Sequence, residues 1–82
     1  MGIQTNTNTS GACRAITPND STDLPLGICR AIYVGVGGDI SIDDLSGETV
    51  VFKNAISGSV IPVQTARVNA TGTTATNLVA LY

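Results

Sequence analysis

Turn-forming residues interrupt this 82-residue chain roughly every ten positions, and this spacing limits what it can fold into. Between the turns lie short runs rich in Val, Ile and Thr, which favour strands. No longer segment shows the apolar periodicity of a helix. The sequence therefore predicts an all-β fold, a small single-domain antiparallel β-barrel or β-sandwich of about five to six short strands.

Alternating apolar positions locate the expected strands. In residues 30–36, Ile32 and Val34 share one face and Tyr33 lies on the other. Gly37-Gly38 predicts a hairpin after this strand, because glycine readily adopts positive φ. The other predicted strands are a short one with Ile40 and Ile42, and residues 49–54, 60–69 and 77–82. Pro62 places the predicted strand at residues 60–69 at an edge or bulge, because proline lacks an amide hydrogen.

Two polar segments fall outside the strand pattern. Residues 1–10 are rich in Thr and Asn and predict a flexible or partner-ordered N-terminal arm, which precedes a single β domain at residues 11–82. Residues 17–27 are dense in proline and Asx residues, which predict an ordered loop.

Large side chains are scarce in this chain. The aromatic residues are Tyr33, Phe52 and Tyr82, and there is no Trp. A domain of this size buries only about 60% of the surface of its unfolded chain, so its stability is marginal without help. Charged residues make up 12% of the sequence, which is low for a soluble monomer. These features predict a homo-oligomer that packs in a larger assembly.

Charge and hydrophobicity along the sequence argue against nucleic acid and membrane as partners. The four basic residues are scattered, whereas phosphate-backbone binding needs converging cations, so no nucleic acid is expected. No run approaches the roughly 20 apolar residues that cross a bilayer, so no membrane is expected either. The first residues lack the pattern of a signal peptide, and we expect synthesis in a cytoplasm.

The residues for catalysis are missing. Histidine is absent, which removes the usual serine and cysteine triads. Lys53 is the single lysine and is expected at the surface. Gly35-Val36-Gly37-Gly38 lacks the spacing of a nucleotide-binding loop. We therefore expect no enzyme, no catalytic residue and no cofactor.

Cysteine and carboxylate residues leave two questions open. Cys13 and Cys29 could form a disulfide, although reduced thiols are favoured in a cytoplasmic product. Acidic residues cluster in two places, where Asx turns are favoured over a bound cation. These clusters are Asp20 with Asp23, and Asp39 with Asp43 and Asp44. No metal site is predicted.

Two unusual stretches carry a resemblance. They are T-P-N-D-S-T-D-L-P at residues 17–25 and N-A-T-G-T-T-A-T-N at residues 69–77. The surrounding residues follow the same pattern over 14–16, 29–35, 38–40, 49–53 and 68–82. Together these stretches resemble the small spike-base proteins of tailed-phage heads and of gene transfer agents.

The resemblance implies a structural virion protein on the outer surface of a tailed-phage-type, HK97-like capsid. The favoured role is an oligomeric head spike base at the capsid vertices. The alternative is a cement or decoration protein that clamps capsomers at threefold positions. The implied partners are the chain itself, the major capsid protein and a fibre protein.

Two functions of other classes fit the sequence less well than a capsid role. A small carbohydrate-binding β-module is disfavoured by the shortage of aromatic rings, and a small hydrolase by the missing histidine. Ordered loops without a role in the core usually serve recognition, so the loop and the chain ends are predicted to make the intermolecular contacts. The predicted contact residues are Thr17, Pro18, Asn19, Asp20, Asp23, Leu24, Pro25, Leu81 and Tyr82.

Overall fold

A computed structural model of the protein describes residues 11–82, and the predicted arm at residues 1–10 lies outside them. All regular elements of the described part are strands, which confirms the all-β prediction. Residues 11–82 contain seven strands, one more than the upper predicted number. The sequence pattern locates five strands, and the additional two arise because Cys13–Ala15 forms a short strand and the strand predicted over residues 60–69 is divided into two. They are β1 (Cys13–Ala15), β2 (Ala31–Val36), β3 (Gly38–Asp43), β4 (Thr49–Ala55), β5 (Val60–Ile61), β6 (Arg67–Val68) and β7 (Thr76–Leu81).

The strands form two antiparallel sheets. The four-stranded sheet has the order β1-β7-β2-β5, and the three-stranded sheet has the order β4-β3-β6. Side chains from both sheets form one hydrophobic core, as in a β-sandwich. Its fully buried members include Ile32, Val34, Leu78 and Ala80 from one sheet and Ile40, Ile42 and Val68 from the other.

The predicted hairpin at Gly37-Gly38 is wrong. β2 and β3 are consecutive, but they belong to different sheets, so the chain turns a corner between the sheets here. The corner is too crowded for a side chain. A Cβ atom at Gly37 would collide with the carbonyl oxygen of Ala55, and one at Gly38 would lie 2.7 Å from the amide nitrogen of Ala75. Glycine is therefore present here because of close packing, not because of a tight turn.

The hairpin that does form joins β3 to β4. One carboxylate oxygen of Asp44 accepts hydrogen bonds from the amides of Ser46 and Glu48, each at 2.9 Å. The amide of Asp44 donates to the carbonyl of Glu48, and Gly47 has a φ of 92°. This geometry confirms the turn and the Asx role expected for Asp44.

The single strand predicted over residues 60–69 is divided in the structure. β5 pairs with β2 in one sheet, whereas β6 pairs with β3 in the other. Pro62 follows β5 directly and has no amide to continue the ladder. The buried Thr65 then fixes the crossing, because its hydroxyl donates to the carbonyl of Asp43 at 2.6 Å.

Candidate functional site

The loop at residues 17–27 lies along the edge strand β6. The amide of Asn19 donates to the carbonyl of Val68 at 2.9 Å, and the amide of Leu24 donates to the carbonyl of Ala66 at 2.7 Å. Leu24 is only 7% exposed and belongs to the hydrophobic core. The premise that this loop has no role in the core is therefore wrong, since Leu24 anchors it there.

The loop also carries its own turn. The side-chain oxygen of Asn19 accepts hydrogen bonds from the amide of Ser21 at 2.8 Å and from the amide of Thr22 at 3.0 Å. An Asx side chain that binds amides two and three residues later stabilises a local turn without other partners. Asn19 in the T-P-N-D-S-T sequence therefore has a structural role in this turn.

Two aspartates fasten the loop to the rest of the domain. Arg67 donates to one carboxylate oxygen of Asp23 from Nε at 3.0 Å and from Nη2 at 2.8 Å. This ion pair is partly exposed, with 30% of the Arg67 side chain and 59% of the Asp23 side chain accessible to solvent, so its contribution to stability is small. Asp20 accepts two hydrogen bonds from Thr71, one from the amide and one from the hydroxyl. The amide bond is the main cause that lowers the pKa of Asp20 below its ordinary value.

The end of the described chain contacts the same loop. The hydroxyl of Tyr82 accepts a hydrogen bond from the amide of Leu26 at 3.2 Å. The amide of Tyr82 donates to the carbonyl of Ala12 at 2.9 Å, and Leu81 pairs with Cys13 in the β1–β7 ladder. The loop and the last residues of the described chain, which together contain all the predicted contact residues, are therefore neighbours in the fold.

A shallow open depression of about 320 Å³ lies between β1 and the loop. It brings together five of the predicted contact residues, whereas Pro18, Asp20, Leu81 and Tyr82 do not line it. Leu24 contributes to its floor from the core. The lining residues are Ala15, Thr17, Asn19, Thr22, Asp23, Leu24 and Pro25.

The outer face of the four-stranded sheet is apolar. Residues that lie directly opposite each other on antiparallel strands share a face. One such row crosses all four strands as Ala15, Val79, Tyr33 and Val60, and a second row holds Cys13, Leu81 and Ala31. We call these seven residues the apolar face. None of them is charged, and Tyr33 and Val60 are 39% and 51% exposed.

The outer face of the three-stranded sheet is polar by contrast. Asp43 lies opposite Thr49 on one side and Arg67 on the other. Its carboxylate accepts hydrogen bonds from the hydroxyl of Thr49 at 2.8 Å and from the amide group of Asn69 at 3.0 Å. The bond from Asn69 is the main cause that lowers the pKa of Asp43. These groups satisfy one another within the domain.

The remaining chemistry of the described residues is limited. Within residues 11–82, no three His, Cys, Asp or Glu side chains converge as a metal site would require. No disulfide joins Cys13 to Cys29. Burial raises the pKa of the Cys29 thiol, which keeps this group protonated at neutral pH. In the same part of the chain, no helix has the length and hydropathy that a membrane span requires.

The apolar face was missed among the predicted contact residues, apart from Leu81. The sequence contains part of this information, because alternation along one strand places Ala31 and Tyr33 on the face away from the core and Ile32 on the face toward it. The pairing of β7 between β1 and β2, which brings Val79 and Ala15 beside them, is not visible in the sequence.

Comparisons with known proteins place these features in context. No protein-family profile matches the chain, and no curated protein matches it. A chain in a solved structure described as "Capsid of native GTA particle computed with C5 symmetry", where GTA stands for gene transfer agent, is similar throughout. The two are 41% identical with a TM-score of 0.80, over 89% of this chain and 83% of that chain.

Proposed function

This chain belongs to the family of the gene transfer agent capsid component, and we propose on that basis that it is a structural, non-catalytic protein of a capsid. The observation that carries the proposal is the 41% identity, which extends over most of both chains. Similarity of this extent spans most of the chain and is not limited to one shared motif.

The finer proposal is an oligomeric head spike base on the outer surface of a tailed-phage-type capsid, at its vertices. Its partners would be copies of itself, the major capsid protein and a fibre protein. The support for this role is the resemblance of residues 17–25 and 69–77 to the spike-base proteins, together with the similarity to a capsid component.

The proposed contact with the capsid is the depression together with the loop beside it. The loop is suited to a binding surface because its backbone is fixed by β6 and by Thr71, so little conformational freedom is lost on docking. Thr17 and Pro25 are exposed there and line the depression. Their side chains are available to a partner, whereas Leu24 acts by holding the loop in place.

Particles purified from a producing strain provide the test. We expect the protein in particles, with tens of copies if it forms vertex rings and hundreds if it is cement. Its complete absence from purified particles contradicts the proposal, and hundreds of copies favour the cement role.

A substitution in the depression tests the contact surface. Thr17→Arg places a long charged side chain in the depression, and we expect it to reduce incorporation into particles about tenfold or more. Gln64→Arg is the matched control, because Gln64 is exposed and lies outside the depression. Equal incorporation of both variants would show that the depression does not contact the capsid.

A further inference from the structure

The edge strands of the two sheets differ in length and in cover. β1 has three residues, and β5 has two and is followed directly by Pro62, so each offers only a short edge. β6 is covered by the loop at residues 17–27, which donates amides to the carbonyls of Val68 and Ala66. β4 has seven residues, and within residues 11–82 it pairs with β3 alone. It is therefore the long open edge of the described domain.

Val51, in the middle of β4, directs its main-chain groups away from β3. It lies opposite Ser41 of β3. The amide of Ser41 donates to the hydroxyl of Thr73 at 2.9 Å, and its carbonyl accepts the amide of Asn69 at 2.8 Å. Asn69 directly follows β6, which flanks β3 on the side opposite to β4. Ser41 and Val51 therefore form a non-hydrogen-bonded pair, and the amide and carbonyl of Val51 point outward.

Alternation along β4 extends this geometry to Thr49. Residues two positions apart in a strand direct their main-chain groups to the same side, whereas Val50 between them bonds to Ile42 of β3. Thr49 and Val51 together present amides and carbonyls in the spacing that an added antiparallel strand requires.

The side chains of this edge are apolar on both faces of the sheet. Val50 shares the core-facing side with Phe52 and is 37% exposed, and Val51 on the outer side is 39% exposed. Lys53 is the one charged residue of β4, and it lies near the end of the strand, where it pairs with Asp39 at 3.5 Å. The middle of β4 thus lacks the charge or proline that usually prevents a further strand from adding to an edge.

We propose that β4 of one copy pairs antiparallel with β4 of a second copy, about a twofold axis at Val50. Thr49 of each copy then lies opposite Val51 of the other, so the outward amides and carbonyls of both residues gain partners. Val50 meets its counterpart across the axis, and the two three-stranded sheets become one continuous sheet. Such a contact is isologous, because both copies use the same surface.

The distribution of charge along β4 identifies a second copy in this orientation as the occupant. Glu48 directly precedes the strand, and Lys53 lies near its other end. An antiparallel arrangement brings the Lys53 end of each copy beside the Glu48 end of the other, whereas a parallel one would bring like charges together. It also brings Leu45, 57% exposed before β4, to the same end as Ile56 of the partner, 74% exposed after it.

This contact goes beyond the proposed function and does not depend on it. The loop that borders the depression lies along β6, and β4 lies at the opposite edge of the same sheet. Pairing through β4 therefore leaves the depression of each copy open to a capsid partner.

Sedimentation velocity of the full chain over a range of concentrations tests the association. We expect the wild-type protein to form dimers, and a protein that remains monomeric up to about 1 mM overturns the proposal. Val51→Lys and Val51→Glu should each weaken dimerisation about tenfold or more, because each removes an apolar side chain and brings like charges near each other across the axis. An equal mixture of the two variants should recover most of the loss, since the two charges then attract. A mixture that associates no better than the separate variants overturns the twofold pairing.

Val60→Lys is the matched control. Val60 is 51% exposed, like Val51 it is apolar, and it lies on β5 in the other sheet. The substitution makes the same change in charge and should leave dimerisation unchanged. A loss equal to that of Val51→Lys overturns the assignment of the contact to β4. Circular dichroism checks that each variant is folded.

Hydrogen exchange measures the main-chain contact directly. The amides of Thr49 and Val51 should exchange about tenfold more slowly at concentrations where the protein is dimeric than where it is monomeric. The amide of Val50 is the internal control, because its bond to Ile42 protects it at both concentrations. Rates at Thr49 and Val51 that do not change on association overturn the strand pairing.

Particles made without this protein distinguish a second copy from a capsid partner on this edge. We expect Val51→Lys to bind such particles as the wild type does, because the depression is unchanged. Loss of binding by Val51→Lys, together with a monomeric wild type, assigns the edge to a capsid partner and overturns the contact between copies. Dimerisation of a wild-type protein that does not bind particles overturns the capsid role and keeps the contact between copies.

Discussion

Asp20 accepts hydrogen bonds from both donors of Thr71, a residue 51 positions later in the chain. One carboxylate oxygen accepts the amide of Thr71 at 2.9 Å, and the other accepts its hydroxyl at 2.7 Å. The contact joins the two stretches whose sequence is most unusual, residues 17–25 and 69–77. In this contact, Asp20 and Thr71 attach one of these stretches to the other, which gives both residues a structural role.

Removing the charge of Asp20 should loosen the loop. We expect Asp20→Asn to increase amide hydrogen exchange at residues 19–24 on the order of threefold to tenfold, since a charge-assisted hydrogen bond is replaced by a weaker one. Thr71→Val, which keeps the amide and removes only the hydroxyl, should have a smaller effect. Equal exchange in both variants and the wild type would contradict this role of Asp20.

Stability should decrease in acid. The pKa values of Asp20, Asp43 and Asp44 are lowered in the folded protein by hydrogen bonds from Thr71, Asn69 and Ser46, respectively. Their contribution to stability is therefore complete above the unfolded pKa of about 3.9 and is lost as the pH falls through the lower folded values. The midpoint of urea unfolding should stay level from about pH 7 to 5 and fall below about pH 4. Asp20→Asn should reduce that fall, and an equal or larger fall would contradict the assignment.

Leu24 should be the residue of the loop that matters most for stability. Leu24→Ala removes a buried side chain, and we expect it to lower the free energy of unfolding by about 2–4 kcal/mol in urea titration. Pro25→Ala, at the exposed neighbouring position, should change it by less than about 1 kcal/mol. Similar losses in the two variants would show that Leu24 is not the anchor.

The corner between the sheets should not tolerate a side chain. Gly37→Ala forces a Cβ atom against the carbonyl oxygen of Ala55, and we expect it to lower the free energy of unfolding by about 1–3 kcal/mol or to prevent folding. Gly11→Ala is the control, because a Cβ atom at Gly11 would meet no other atom within 4 Å. Thermal unfolding followed by circular dichroism distinguishes the two variants, and equal midpoints would contradict the crowding at the corner.

The two thiols should differ in reactivity. In Cys13→Ser the remaining thiol is Cys29, which is 1% exposed and has a raised pKa. We expect alkylation of this variant only after denaturant unfolds it, whereas Cys29→Ser should react without denaturant at low protein concentration. Rapid alkylation of native Cys13→Ser would show that the core around Cys29 opens readily.

The sequence predicts the strands better than their arrangement. Alternation in β2 places Ile32 and Val34 in the core and Tyr33 outside, as the structure shows, because a period of two directly reflects which face is buried. The turn at Asp44 is also predicted, since it depends on contacts within five residues.

Features that depend on distant residues could not be predicted. The sequence pair Gly37-Gly38 indicates a hairpin. The crowding by Ala55 and Ala75, which requires glycine at this corner, exists only in the folded chain. The core role of Leu24 depends on its pairing with Ala66, 42 positions later in the sequence. The apolar face depends on β7 lying between β1 and β2. In each case the deciding contact joins segments whose proximity no local pattern encodes.

The position of β7 has a consequence for how the protein is made. β1 and β2 do not pair with each other: β7 at residues 76–81 lies between them and pairs with both, and the other neighbour of β2 is the two-residue β5. A growing chain that has not reached these residues can form the β3–β4 hairpin but not the four-stranded sheet, because the strand that joins β1 to β2 is missing. The domain must therefore complete its fold after most of it has left the ribosome, and products terminated before residue 76 should be substrates for proteolysis, not partial domains.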